Sequence, residues 1–133
     1  MLFRSFISKK AHFILPTHKI LDAASEASKG QSKIGSTLRG ISPTYMDKTG
    51  RNGLRVGDLL NKNFTTQYIK IRMKHQRLLD NFNFQEDITQ WEEEFFEAIE
   101  QLRHFKIVNG EYFINEKLSN GMKVLAEGAQ GSM

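Results

Sequence analysis

Between Lys33 and Asp58 the chain holds five of its ten glycines, and five Lys/Arg against two Asp, with no continuous apolar face. A polar, cationic stretch punctuated by glycine is not material for a core. It is suited to bringing backbone N–H groups and guanidinium groups close to something anionic. Toward the C-terminus, an apolar run leads into Glu127-Gly-Ala-Gln-Gly-Ser-Met133, the pattern of a strand handing over to a site loop. Together these features predict part of a phosphate-handling enzyme, the rest lying outside this chain.

At 133 residues the length points to one domain, and 39% hydrophobic content is enough for a core. We therefore expect residues 1–133 to form a single partial domain. No window approaches the roughly 18–20 uninterrupted apolar residues that a membrane span requires. Met1-Leu-Phe-Arg-Ser-Phe-Ile-Ser8 lacks the long apolar block and cleavage site of a signal peptide. Cysteine is absent, which excludes a disulfide scaffold and a thiolate metal site and makes the cytoplasm the expected location. Residues 1–58 carry ten Lys/Arg against four Asp/Glu, whereas 59–133 carry nine against eleven. The positive half contains the glycine-spaced stretch, which fits a phosphate-bearing ligand and, on charge alone, nucleic acid as well.

His12-Phe-Ile-Leu15, closed by Pro16, reads as a short buried strand, and Met122–Ala126 as a second. Both are nearly continuous apolar runs, as in strands buried on both faces of a parallel sheet. Two such strands do not make an independently stable sheet. The expectation is an incomplete α/β fragment of a parallel-sheet fold, mostly helical in the part present. Thr17 is a candidate N-cap for a helix through Ile20, Leu21, Ala24 and Ala27, stopped by Gly30. Pro43–Lys48 can form a short helix. From Phe64, Tyr68, Ile71, His75, Leu78, Leu79 and Phe82 fall on one helical stripe. Ile88, Trp91, Phe95, Ile99 and Leu102 form another, with Thr89-x-x-Glu92 as a candidate capping box. Glu111–Ser119 can make a third helix, stopped at Asn120-Gly121.

Gly35-Ser-Thr-Leu-Arg-Gly40 alternates glycines with the hydroxyls of Ser36 and Thr37, which can donate to phosphate oxygens. As a bare pattern such clusters are more often ordinary loops, and no G-x-x-x-x-G-K-[ST] occurs. Lys48, Arg51 and Arg55 lie within eight residues; each alone reads as a solvated base, while one guanidinium could clamp a phosphate. Asp47 and Asp58 read as partners of these bases rather than as catalytic acids. The amide of Gln130 can donate and accept at once, as recognition of a purine edge requires. The four histidines are dispersed without metal-site spacing, so no zinc site is expected. Trp91 and the phenylalanines read as core.

Ile34-Gly-Ser-Thr-Leu-Arg-Gly-Ile-Ser-Pro-Thr-Tyr-Met-Asp-Lys-Thr-Gly-Arg51, followed by Gly53-Leu-Arg-Val-Gly-Asp58, resembles the central signature of the adenylosuccinate synthetase family. His12–Pro16 before it and Val124-Leu-Ala-Glu-Gly-Ala-Gln-Gly131 after it resemble that family's flanking segments in the same order. The resemblance extends from about Ile7 to Met133. It implies a P-loop-NTPase-like α/β fold and a ligase that couples GTP to the joining of IMP and L-aspartate, with Mg2+ bridging the phosphates. It further implies that Thr37 binds the 5′-phosphate of IMP, that Arg51 reaches the same phosphate of the partner subunit in a homodimer, and that Gln130 contacts the base. Lys48 would lend electrostatic support.

Two departures from the family pattern stand out. Ser42 occupies a glycine position in Gly-Ile-Gly-Pro, where a positive φ would cost serine about 1 kcal/mol. The family's N-terminal glycine-rich loop with its catalytic Asp, the following His and the guanine-reading segment are not in this sequence, so the chain alone is expected to be inactive. Two other readings compete: a basic nucleic-acid-binding module, and a non-catalytic helical protein that binds a partner through the Ile88–Leu102 stripe. Only Tyr45 interleaves an aromatic among the bases of the loop, which argues against nucleic acid.

Overall fold

The computed structural model describes residues 5–32, 35 and 37–129. Strand β1 (Phe6–Ser8) pairs in parallel with β2 (Lys106–Val108), in the register Phe6↔Lys106, Ile7↔Ile107 and Ser8↔Val108. Between them, among the described residues, run four α-helices, α1 (Pro16–Ser28), α2 (Ile41–Thr49), α3 (Phe64–Asn81) and α4 (Thr89–Leu102), with short 3-10 turns at Gly30–Ser32 and Val56–Leu60; α5 (Gly110–Ser119) follows β2. Most described residues are helical and the ladder between β1 and β2 is parallel, which agrees with the expected fold class.

The strands themselves lie elsewhere than expected. In the predicted strand 12–15, His12 makes only an isolated antiparallel bridge to Arg55. Phe13 donates its N–H to the Leu54 carbonyl at 2.9 Å, and Leu15 is fully buried just before Pro16 opens α1. Its apolarity serves helix packing, not a sheet. Residues 122–126 form no ladder with any described residue and are exposed, Leu125 almost completely at 97%. An apolar run becomes a strand only where a partner supplies its hydrogen bonds.

Two clusters hold the helices together. Leu15, Leu54, Val56, Leu59, Phe64, Tyr68 and Ile99 form one, against which Phe13, Phe95 and Phe96 pack. Tyr68 stacks on Phe95 with ring centroids 5.5 Å apart. Ile20, Leu21, Ala24, Leu79 and Ile88 form the second, joining α1 to α3 and to the start of α4. The predicted stripes are therefore core in their central parts. Their edges are not: Leu78, Phe82 and Trp91 remain exposed.

Helix ends follow local chemistry with some substitutions. Gly30 after α1 and Gly121 after α5 adopt positive φ, as their stop roles require. Thr17 lies within the first turn of α1 instead of capping it. The Thr89-x-x-Glu92 box does not form: Thr89 bonds Asp87 Oδ1 through both its N–H and its hydroxyl. Glu92 instead accepts from Tyr68 Oη (2.7 Å) and Arg72 Nε (2.6 Å), tying α4 to α3.

Gly40 precedes α2 at φ +78, and a Cβ there would meet the His18 carbonyl carbon and the Lys19 nitrogen at 2.9 Å. Both neighbours are helix backbone and cannot step aside. Gly40→Ala is therefore expected to lower stability by about 1–3 kcal/mol; an unshifted urea midpoint would contradict this. Ser42, by contrast, sits exposed in the first turn of α2 without a positive φ, so serine costs little there.

Candidate functional site: the glycine arm and its supports

The glycine-spaced stretch folds into a loop, α2, and a turn. Thr37 is exposed in the loop before Gly40, and Arg51 is exposed in the turn after Gly50. The nine residues of α2 separate them, about 13 Å of helical rise. Arg51 at φ 59 and Leu38 at φ 55 both hold left-handed backbone, which costs a non-glycine residue about 1–2 kcal/mol. Such outliers concentrate at functional sites, and here they fall at or beside the two predicted phosphate contacts. Gln130 lies outside the described residues.

The three bases of the stretch part company. Arg51 lines a groove of about 790 Å³ with Lys70, Lys74, Arg77 and Asp58. Its side chain makes no hydrogen bond or ion pair with any described residue. Lys48 lies over the Tyr45 ring, 5.3 Å from its centre, and borders a separate depression of about 240 Å³ with Lys10 and His12. The His12 ring is held below its ordinary pKa by burial and then by the nearby cations of Arg55 and Lys48. Positive potential is thus concentrated on two sides of the C-terminal end of α2.

Asp47 does not pair with these bases, as the sequence suggested. Its carboxylate is buried and accepts from Lys74 Nζ at 2.6 Å, His75 Nε2 at 2.7 Å and His18 Nε2 at 2.8 Å. Asp58 instead serves backbone, its Oδ2 accepting the Arg55 main-chain N–H at 2.7 Å. The His18 Nδ1 accepts the Leu15 N–H (2.9 Å), which leaves the ring proton on Nε2 to be donated to Asp47. Thr17 Oγ1 lies 2.6 Å from His75 Nδ1 and can donate to it, so that ring too presents N–H to Asp47. Burial would raise the Asp47 pKa, but the bonds from Lys74, His18 and His75 outweigh it and hold the carboxyl at about 2. Burial, followed by the other ring's charge, pushes His75 down to about 4, and His18 is also lowered by burial.

Two of the four dispersed histidines, His18 and His75, thus converge on Asp47, a proximity that spacing along the chain did not reveal. The His18, Asp47 and His75 ligand atoms lie within 4.8 Å of one another, close enough to consider a metal. The donor chemistry argues otherwise. With Nδ1 engaged by a backbone N–H, His18 Nε2 is protonated and has no lone pair for a cation. Two imidazoles and one carboxylate also do not suit Mg2+, which prefers oxygen ligands.

Sequence reasoning also missed how α1 serves the arm. His18, Asp22 and Glu26 recur every four residues and are all buried. Asp22 Oδ2 accepts the Gly40 N–H at 3.0 Å, and Glu26 Oε1 accepts the Gly35 N–H at 2.7 Å. The signal was an i, i+4, i+8 polar stripe, adjacent to the apolar stripe that dominated the reading of that helix.

A cationic, glycine-hinged arm braced on a helical layer beside a parallel strand pair is the architecture of a segment of an α/β protein. The sequence model of the adenylosuccinate synthetase family matches residues 3–133. The chain is 56% identical over 128 residues to the adenylosuccinate synthetase of Parabacteroides distasonis, covering 96% of this chain and 30% of that one. It is 53% identical over 129 residues to that of Flavobacterium johnsoniae, again 96% and 30%. Its fold matches a solved, fully ligated adenylosuccinate synthetase from Plasmodium falciparum with a TM-score of 0.77 at 38% identity, over 93% of this chain and 29% of that one. The chain belongs to the adenylosuccinate synthetase family, and spans about 30% of the length of the curated relatives it matches.

Proposed function

We propose that this chain supplies the IMP-binding elements of an adenylosuccinate synthetase, the GTP-dependent ligase that joins IMP and L-aspartate on the route to AMP. In that reaction the γ-phosphoryl group of GTP passes to the 6-oxygen of IMP and GDP departs. The aspartate amine then attacks C6, and inorganic phosphate leaves with the oxygen. None of these steps takes place on the arm. Thr37 and Arg51 grip the unreactive 5′-phosphate, which orients the purine through a group remote from the chemistry. The Thr37 hydroxyl donates to a phosphate oxygen, the Arg51 guanidinium offers paired donors, Lys48 adds positive potential, and Gln130 contacts the base.

The observation that carries this reading is the family match over residues 3–133, joined to the positions of Thr37 and Arg51 at opposite ends of α2. The two stand at opposite ends of α2, about 13 Å of helical rise, an arrangement compatible with phosphates held in two different sites. We take from the family resemblance a homodimer in which Arg51 of each subunit serves its partner. Mg2+ belongs to the same reading at the transferring phosphates, and His18, Asp47 and His75 do not suit it. No helix of the described residues is long and apolar enough to cross a membrane. In this reading the enzyme is cytoplasmic and takes neither nucleic acid nor a membrane as a partner.

A chimera tests the proposal. Residues 3–133 replace the matching segment of the Parabacteroides distasonis relative, and adenylosuccinate formation is followed with IMP varied. The chimera should be active, and Thr37→Val should raise the KM for IMP roughly tenfold with little change in kcat, since the lost contact is made equally in ground and transition states. An inactive chimera, or an unchanged KM, would count against the assignment.

A further inference from the structure

The loop before α2 is held in an unusual backbone path. Gly35 (φ 78), Leu38 (φ 55) and Gly40 (φ 78) are all left-handed, within six residues. Such a path is not self-supporting, because each left-handed residue is free to relax when nothing holds it. Two buried carboxylates from α1 hold it at both ends. Glu26 Oε1 accepts the Gly35 N–H at 2.7 Å, two residues before Thr37, while its Oε2 meets Lys29 Nζ at 3.2 Å. Asp22 Oδ2 accepts the Gly40 N–H at 3.0 Å, three residues after Thr37.

We propose that Glu26 and Asp22 are positioning residues for the phosphate arm: by accepting the Gly35 and Gly40 amides they fix the loop on either side of Thr37, so that its hydroxyl is set for the nucleotide phosphate before binding. The inference rests on the reading of Thr37 as a phosphate contact. It assigns to α1 a role that Thr37 and Arg51 alone do not explain. Electrostatics by itself opposes carboxylates beside a phosphate site, since like charges repel and burying a carboxylate is costly. Their presence therefore calls for a geometric benefit larger than the repulsion. Carboxylates suit that task because their hydrogen bonds to backbone N–H are roughly twice as strong as neutral ones.

That opposition supplies a test by sign. In the chimera, Glu26→Gln removes a negative charge near the phosphate and keeps the shape of the side chain. If Glu26 acts only through its charge, the KM for IMP falls. If it positions the loop, the weaker neutral hydrogen bond loosens the arm and the KM rises about three- to tenfold, with kcat unchanged. Glu26→Asp separates the two effects again: it keeps the charge but is one methylene too short to reach the Gly35 amide. Positioning predicts a similar rise in KM, and charge alone predicts none. Amide hydrogen exchange adds a readout that general destabilisation would not give, because residues 35–40 should exchange faster while α4 stays protected. Asp22→Asn provides the second variant, acting on the Gly40 amide.

A rise in KM for Glu26→Gln and Glu26→Asp together, with faster exchange confined to the arm, supports the inference. A lower or unchanged KM in either Glu26 variant overturns it. Thr37→Val, measured alongside, tells the two readings apart. If Thr37→Val raises KM and the Glu26 variants do not, only the positioning role fails; if Thr37→Val changes nothing, the phosphate assignment itself fails.

Discussion

Asp47→Ala is expected to cost the fold about 3–5 kcal/mol, the usual consequence of removing one member of a buried charged network. The carboxylate accepts from three side chains on two different helices, His18 of α1 and both Lys74 and His75 of α3. Without it, two buried imidazole N–H groups lose their acceptor and a lysine loses its counter-ion. The main chain of Asp47 adds a second consequence. Its carbonyl accepts the Asn52 N–H at 2.8 Å and the Gly53 N–H at 3.1 Å, closing the turn that carries Arg51. Loss of the side-chain anchor should therefore loosen that turn as well as the helices. A urea midpoint within about 0.5 kcal/mol of the parent would contradict the account.

The same network fixes the expected response to acid. Burial holds His75 at about 4, and lowers His18 as well, against an ordinary 6.5. Below about 6.5 the unfolded chain takes up protons that these rings refuse in the fold. Their contribution to stability is therefore complete above 6.5 and declines as the pH falls toward 4. Asp47, held at about 2 against an ordinary 3.8, stabilises the fold above that range and loses its contribution as the pH falls toward 2. Stability should thus decline in two successive acid windows. A urea midpoint that stays flat between pH 7 and 4 would show that the rings are not buried neutral.

Arg51→Leu is expected to have the largest effect on ligand binding. A guanidinium on a phosphate makes charge-assisted hydrogen bonds worth roughly 1.5–3 kcal/mol, which corresponds to a 10- to 150-fold loss of IMP affinity in the chimera. Leucine keeps much of the volume and none of the donors. Arg51 makes no hydrogen bond or ion pair with any described residue, so its replacement should leave the fold nearly intact. Equilibrium binding of IMP measures the effect, with thermal unfolding as the control. An unchanged affinity would mean that the guanidinium does not reach the nucleotide.

What could be read from the sequence follows from the range of each interaction. Helices α3 and α5 and the glycine stops at Gly30 and Gly121 are encoded by residues three to four apart or at a single turn, and pattern finds them. The strands are three residues each, too short to carry an alternation signal, and their pairing joins residues about a hundred positions apart. The apolar runs at 12–15 and 122–126 attracted the strand reading instead. The cluster of His18, Asp47 and His75 was hidden for the same reason, because three helices contribute one group each. Spacing can reveal a site built along one helix, as the His18, Asp22, Glu26 stripe shows in retrospect. It does not reveal one assembled between helices. The glycine arm itself was legible, since its left-handed positions and its cations are properties of the local sequence.

The claim that Thr37 and Arg51 act on the phosphates of two different subunits is tested most directly by mixing. Chimeras carrying Thr37→Val and Arg51→Leu are each expected to be severely impaired at limiting IMP. In a mixed dimer, one site takes Thr37 from one subunit and Arg51 from the other, and both are intact. Random reassociation of equal amounts should then restore about a quarter of the parent activity, because half of the dimers are mixed and each has one good site of two. Activity no greater than the average of the two separate variants would contradict the shared site.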